Sequence, residues 1–208
     1  MRHRLTNVLV TAAVASVLSA GVGCARDPAP RNGSPGAGEP TTSTAPTTGT
    51  PANADPARSR EAQVYAGVLR RYLSTPAENS FPGQRFKQVF VLDRALANSG
   101  RPMAGSSTGT AIPAQTQRLV IEASRDLGAV SFVADRAAVV VKRDNCEIVR
   151  DGGILITVGP LVGDDKRVEV GFQGFVACLG ATWLTYVVER GAGTAWRVTG
   201  TTGPMAIA

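Results

Sequence analysis

Arg167-Val168-Glu169-Val170-Gly171-Phe172-Gln173 is the stretch on which the fold turns. Val168, Val170 and Phe172 alternate with Arg167, Glu169 and Gln173, the two-residue period of a strand with one face buried. Downstream, Thr182 to Val188 places Trp183 and Val187 on one face and Leu184, Tyr186 and Val188 on the other. Apolar residues on both faces predict a central strand covered on both sides. Gly191-Ala192-Gly193 turns the chain, and Trp196 and Val198 open the next strand. Upstream, Gly163-Asp164-Asp165 and Asp151-Gly152-Gly153 are turns that bracket a strand over Ile154 to Val158. Val130 to Ala134 and Ala138 to Val141 predict two shorter strands around Asp135-Arg136.

Before this β-rich half the periodicity changes. Val64, Tyr65, Val68, Leu69, Tyr72 and Leu73 recur at three- and four-residue spacing, which predicts an amphipathic helix stopped before Pro76. Gln88 to Leu92 reads as a short strand, and Ala95 to Ala111 as a Gly/Ser-rich loop. Pro113 suits a helix start; Leu119, Ala123 and Leu127 mark one face, and Gly128 ends it. Helices followed by a run of antiparallel strands define an α+β domain. It spans residues 59–208, about 150 residues, enough for one sizeable core.

Ala25 to Arg58 contains no Ile, Leu, Val, Met, Phe, Trp or Tyr. Such a segment buries too little apolar area to offset the entropy of ordering, so a disordered Pro/Thr/Ser/Gly/Ala-rich linker is expected over residues 24–58. Proline stiffens it, giving a reach of up to about 100 Å when fully extended. Either a plain spacer or a glycosylated Thr/Ser-Pro tract fits this composition.

The first twenty-three residues have the layout of an export signal: Arg2, His3 and Arg4, then an apolar run over Val8 to Leu18, then Ser19-Ala20-Gly21-Val22-Gly23 before Cys24. Small residues leading directly into a cysteine resemble the lipobox of bacterial lipoproteins, in which that cysteine carries diacylglycerol and a palmitate-type acyl chain. Gly21 stands where that family usually has Leu. The resemblance implies a signal peptide over 1–23, lipidation at Cys24, and a cell-membrane location on the extracytoplasmic face of the envelope. Two acyl chains hold a protein stably on a membrane where one does not. Two alternatives remain open at this stage. Leu5 to Gly23 is uncharged and close to the length of a membrane span, and ordinary cleavage after Ala25 would release the chain.

Charge and cysteines narrow the classes of function. The formal charge of +6 falls to +4 once residues 1–23 are removed, since Arg2 and Arg4 go with them and no acid does. The remaining basic doublets, Arg70-Arg71, Lys142-Arg143 and Lys166-Arg167, are scattered and lack an interleaved aromatic platform, which argues against nucleic acid as a partner. Besides Cys24 the chain holds Cys146 and Cys178, an even pair that oxidation in an exported protein would join as a disulfide. Two buried thiols are the alternative. No CxxC spacing accompanies them, so neither a metal nor any other cofactor is expected.

The run Val168-Glu169-Val170-Gly171-Phe172, then Cys178-Leu179-Gly180, then Thr185-Tyr186-Val187-Val188-Glu189-Arg190, then Trp196-Arg197-Val198 resembles a pattern in exported bacterial domains of unknown function. A helix packed on such a sheet, ending in a Trp-Arg-Val strand, also resembles the cystatin-like cone of the NTF2 superfamily. These resemblances imply two helices on a mainly antiparallel, strongly curved sheet and carry over no catalytic residue.

Catalytic chemistry is constrained by what the chain lacks. His3 is the only histidine, so the mature chain has no Ser-His-Asp or Cys-His activation and no histidine metal site. Gly105-Ser106-Ser107-Thr108-Gly109 fits the G-x-S-x-G elbow of hydrolases but lies in a loop without a histidine base. Asp93-Arg94 and Asp135-Arg136 each end a strand-like run. Convergence of those ends would make a carboxylate–guanidinium cluster able to bind a polar ligand or perform acid–base work; turn-capping aspartates are the simpler account. The expectation is a non-enzymatic domain binding a small ligand or an envelope protein through its sheet or the loop around Ala95–Ala111. The alternative is an envelope hydrolase or transferase with a carboxylate-only mechanism.

Overall fold

The computed structural model describes residues 56–81, 83–102, 108–193 and 195–208, with the side chains of 56–58 excepted. Expectations that concern the signal segment, Cys24, the linker up to residue 55, and Ser107 lie outside the described residues.

Helix α1 covers Pro56–Ser74, beginning three residues before the expected boundary at Ser59. Val64, Tyr65, Val68, Leu69 and Tyr72 form its buried stripe, with Leu73 packed at its margin. Strand β1 (Gln88–Leu92) follows, then the two-residue strands β2 (Arg94–Ala95) and β3 (Thr110–Ala111), which pair with each other. Helix α2 (Ala114–Ala123) starts after Pro113. A single 3₁₀ turn over Arg125–Leu127 finishes this segment, and Gly128 takes φ +117. A Cβ at Gly128 would come 2.7 Å from the carbonyl oxygen of Phe86, so the chain reversal there depends on glycine.

The remaining elements are strands: β4 (Ala129–Val133), β5 (Val140–Arg143), β6 (Cys146–Val149), β7 (Ile154–Val158), β8 (Val162–Gly163), β9 (Arg167–Ala177), β10 (Gly180–Arg190) and β11 (Trp196–Ile207). The main path runs β11-β10-β9-β7-β1-β4, with the β5–β6 hairpin and β8 attached to β9. The sheet is mainly antiparallel and strongly curled, with two helices packed against it, and the fold class is α+β. Its parallel part lies at one end, where β1 is parallel both to β4, reached through α2, and to β7. A parallel neighbour requires a crossover, and α2 supplies one.

Alternation assigns each strand residue a face. Val168, Val170 and Phe172 of β9, Leu184, Tyr186 and Val188 of β10, Ile154, Ile156 and Val158 of β7, and Val89 and Val91 of β1 join the α1 stripe in the larger core cluster. On the opposite face Phe90, Leu92, Leu155 and Phe175 pack with Val139 and Val149 from around the β5–β6 hairpin, with Trp183 at the margin. The two-faced reading of Thr182 to Val188 thus corresponds to two distinct cores. Each fully buried large aliphatic side chain contributes about 1.5–3 kcal/mol, so these clusters dominate the stability of the fold.

Candidate functional site

The connection between α1 and β1 is rich in Pro, Gly and polar residues and also carries two phenylalanines. Its start is fixed by Asn79, whose Nδ2 donates to the carbonyl oxygens of Tyr72 (2.9 Å) and Thr75 (3.0 Å) while its Oδ1 accepts from the N–H of Phe81 (2.9 Å). One side chain therefore satisfies the carbonyls left open at the end of α1 and sets the direction of the exit. Phe81 meets Phe86 edge to face at 5.8 Å. Phe86 is buried in the larger core, and Gly128 closes against its carbonyl.

Between this connection and the turn after α2 lies a cleft of about 670 Å³, within the size range of ligand sites. Leu73, Pro76, Phe81, Phe86 and Leu127 give it apolar surface, while Ser74, Asn79, Gln84, Arg85 and Asp126 are polar lining residues. The Asp126 carboxylate is already engaged: Arg70 Nη1 donates to Oδ2 at 2.6 Å and Nη2 to Oδ1 at 2.9 Å, and Nη2 also donates to the Ala123 carbonyl oxygen at 2.9 Å. Those hydrogen bonds from Arg70 hold the Asp126 carboxyl below its usual range. Arg85 is exposed and forms no ion pair among the described residues, leaving it the one uncompensated charge on the lining.

A polar cluster lies behind the cleft. Glu78 accepts from the Arg71 guanidinium and from Tyr186 Oη (3.1 Å), and the Ser80 and Thr182 hydroxyls share a hydrogen bond of 2.9 Å. Burial, reinforced by the Glu78 charge, pushes the Tyr186 phenol far above its ordinary range. Burial also raises Tyr72, partly offset by the nearby Thr182 hydroxyl. In both cases burial favours the neutral phenol, with Tyr186 donating to Glu78 and Tyr72 packing on Phe172.

The strand ends carrying the sequence candidates do lie side by side, since Leu92 is paired with Val133 in the parallel β1–β4 register. The four side chains form no common cluster. Arg94 Nε donates to its neighbour Asp93 at 3.2 Å. Asp135 Oδ1 caps the following turn by accepting from the N–H of Ala137 at 2.9 Å. Arg136 turns toward the β5–β6 hairpin, where it donates to Glu147 at 2.7 Å and lies over the Phe175 ring at 4.0 Å. Cys146 and Cys178 are joined, with Cα atoms 5.5 Å apart, and tie that hairpin to the β9–β10 turn. Among the described residues no group of three or more His, Cys, Asp or Glu side chains could hold a metal ion.

Sequence reasoning did not single out the cleft. Its available signal was the Phe81/Phe86 pair inside a turn-rich connection, since large aromatics in such a segment must pack on something. The chain matches no family model, no curated protein and no solved structure.

Proposed function

We propose that this is a membrane-anchored lipoprotein of the cell envelope, attached through Cys24, whose α+β domain is a non-enzymatic binding module using the cleft between the α1–β1 connection and the turn after α2. The carrying observation is the chemistry of the lining. It offers apolar walls and a single free cation, while its one carboxylate is held by Arg70. Catalysis by carboxylates alone needs an acid and a base facing one reacting bond, and the cleft lining presents no such pair. Asp93 and Asp135 sit at adjacent strand ends, yet each is committed to a local hydrogen bond.

The test uses residues 24–208 carrying Cys24→Ser, with the neutral fluorophore N-phenyl-1-naphthylamine as probe. Saturable binding is expected, lost in Ser74→Trp, which places bulk in the cleft, with the circular dichroism spectrum unchanged. Panels of ester, amide and glycoside substrates should show no turnover. Turnover abolished by Asp93→Asn or Asp135→Asn would replace this reading with the enzymatic one.

A further inference from the structure

We infer that the cleft takes an amphipathic monocarboxylate, one apolar chain ending in one carboxylate; this rests on the cleft being the domain's binding site. The charge of the lining selects the head group. Asp126 is neutralised by the two-pronged Arg70 contact, so Arg85 sets the sign of the field at the mouth. A guanidinium presents a planar donor fork that matches a carboxylate in a two-point contact. The Gln84 side-chain amide stands next to Arg85 in the lining and makes no hydrogen bond among the described residues, which leaves a further donor for the same anion. One cation balances one negative charge and leaves a phosphate monoester dianion half compensated, so the carboxylate is the better fit.

The walls select the tail. Leu73, Phe81, Phe86 and Leu127 supply aliphatic and aromatic surface, and the part-buried polar residue between them, Asn79, already spends its side-chain amide on three hydrogen bonds of its own. Asn79 holds the start of one wall through three hydrogen bonds, and the other is tied to the entry of β1 by the Ala129 N–H, which donates to the Lys87 carbonyl oxygen at 3.0 Å. A preformed cleft spends little of its binding energy on ordering loops. Arg70 reaches from α1 to Asp126 in the turn after α2, and their mutual contact keeps the acid from repelling the ligand head.

Calorimetric titration of residues 24–208 with Cys24→Ser tests this, using octanoate, nonanoate and decanoate below their micelle concentrations. Affinity is expected to rise about fourfold per added methylene until the walls are covered. Decanoate should bind more tightly than decanol, decyl phosphate or decyltrimethylammonium. Arg85→Gln should weaken decanoate roughly three- to tenfold, the range for an exposed charge-assisted contact, and leave decanol unchanged. Arg85 is exposed, so the variant should keep the wild-type spectrum. Equal binding of decanoate and decanol, an unchanged preference in Arg85→Gln, or tighter binding of decyl phosphate would each overturn the carboxylate assignment. N-phenyl-1-naphthylamine displaced by decanol but not by decanoate would overturn it while leaving the cleft as the binding site. Absence of binding by every compound, the naphthylamine included, would remove both.

Discussion

Tyr72 and Gly174 show how one side chain can dictate another. Tyr72 is buried on α1 against the Phe172 ring at 4.7 Å, and Phe172 meets Tyr186 edge to face at 5.5 Å. The Tyr72 hydroxyl points at Gly174 of β9, where any Cβ would overlap it and the adjoining ring carbons. That hydroxyl is buried without a hydrogen-bond partner. The glycine is therefore present for space, since its φ is not in the left-handed region. Gly174→Ala should destabilise the domain by about 1–3 kcal/mol, the usual cost of overpacking. Tyr72→Phe should be close to neutral, because the hydroxyl it removes is buried with no hydrogen bond of acceptable geometry, the neighbouring Thr182 hydroxyl being engaged with Ser80. In the double variant the smaller ring should recover part of the Gly174→Ala loss, and chemical denaturation of all four proteins measures the coupling. Strict additivity would show that the two side chains do not meet.

At the scale of elements, the disulfide decides how firmly the β5–β6 hairpin is held. Strand β6 touches β9 through a single register pair, Ile148 with Ala177, and Val139 and Val149 anchor the hairpin's base in the smaller core. Beyond that base, Cys146–Cys178 is the covalent tie, spanning 32 residues of sequence, beside the exposed Arg136–Glu147 ion pair. Closing such a loop stabilises the fold by about 3–4 kcal/mol on the chain-entropy account. The paired Cys146→Ser/Cys178→Ser variant should lose that amount in chemical denaturation, and hydrogen exchange should quicken first over residues 140–149. Uniform acceleration across the whole domain would show instead that the hairpin opens only with global unfolding. This hairpin also marks the limit of what alternation reveals. Its strands are four residues each and its turn, Asp144-Asn145, carries positive φ without glycine, so the usual hairpin signature is missing. Strand β9 was legible because its apolar residues alternate, β1 and β7 because they are short apolar runs bounded by turn residues, and the core of β10 because it is apolar on both faces. The end of β11 was not, since Gly200, Gly203 and Pro204 read as a break, although the strand continues to Ile207 around two register shifts. The parallel placement of β1 was likewise hidden, because an apolar run does not identify its neighbour. The cleft was illegible for a related reason: Phe81 and Leu127 are forty-six positions apart in sequence, and it takes the β1–β4 pairing and the Arg70 contacts from α1 to Ala123 and Asp126 to bring their segments together.

For the whole molecule, the proposed anchor and the proposed ligand make the same physical demand, an apolar chain held at an envelope surface. Among the described residues no helix is long and apolar enough to cross a membrane; the proposed attachment is through Cys24. The residues before α1 lack any large apolar side chain from Ala25 onward, which suits a tether better than a second docking element. On the proposed reading the acyl chains would supply the whole of the membrane affinity. Each buried methylene contributes about 0.8 kcal/mol, so two chains give anchoring that dilution does not reverse. The net charge of the chain without residues 1–23 is only +4 and is scattered rather than gathered in one run, so electrostatic attraction to anionic lipid is a poor substitute. Cells fed an alkyne fatty-acid analogue should therefore label the wild-type protein and leave Cys24→Ala unlabelled. The labelled wild type should stay with the membrane fraction through high-salt washing. Equal labelling of both proteins would exclude Cys24 as the acyl site. Unlabelled wild-type protein recovered in the soluble fraction would favour cleavage after Ala25, and unlabelled protein resistant to extraction would favour Leu5 to Gly23 as an uncleaved span.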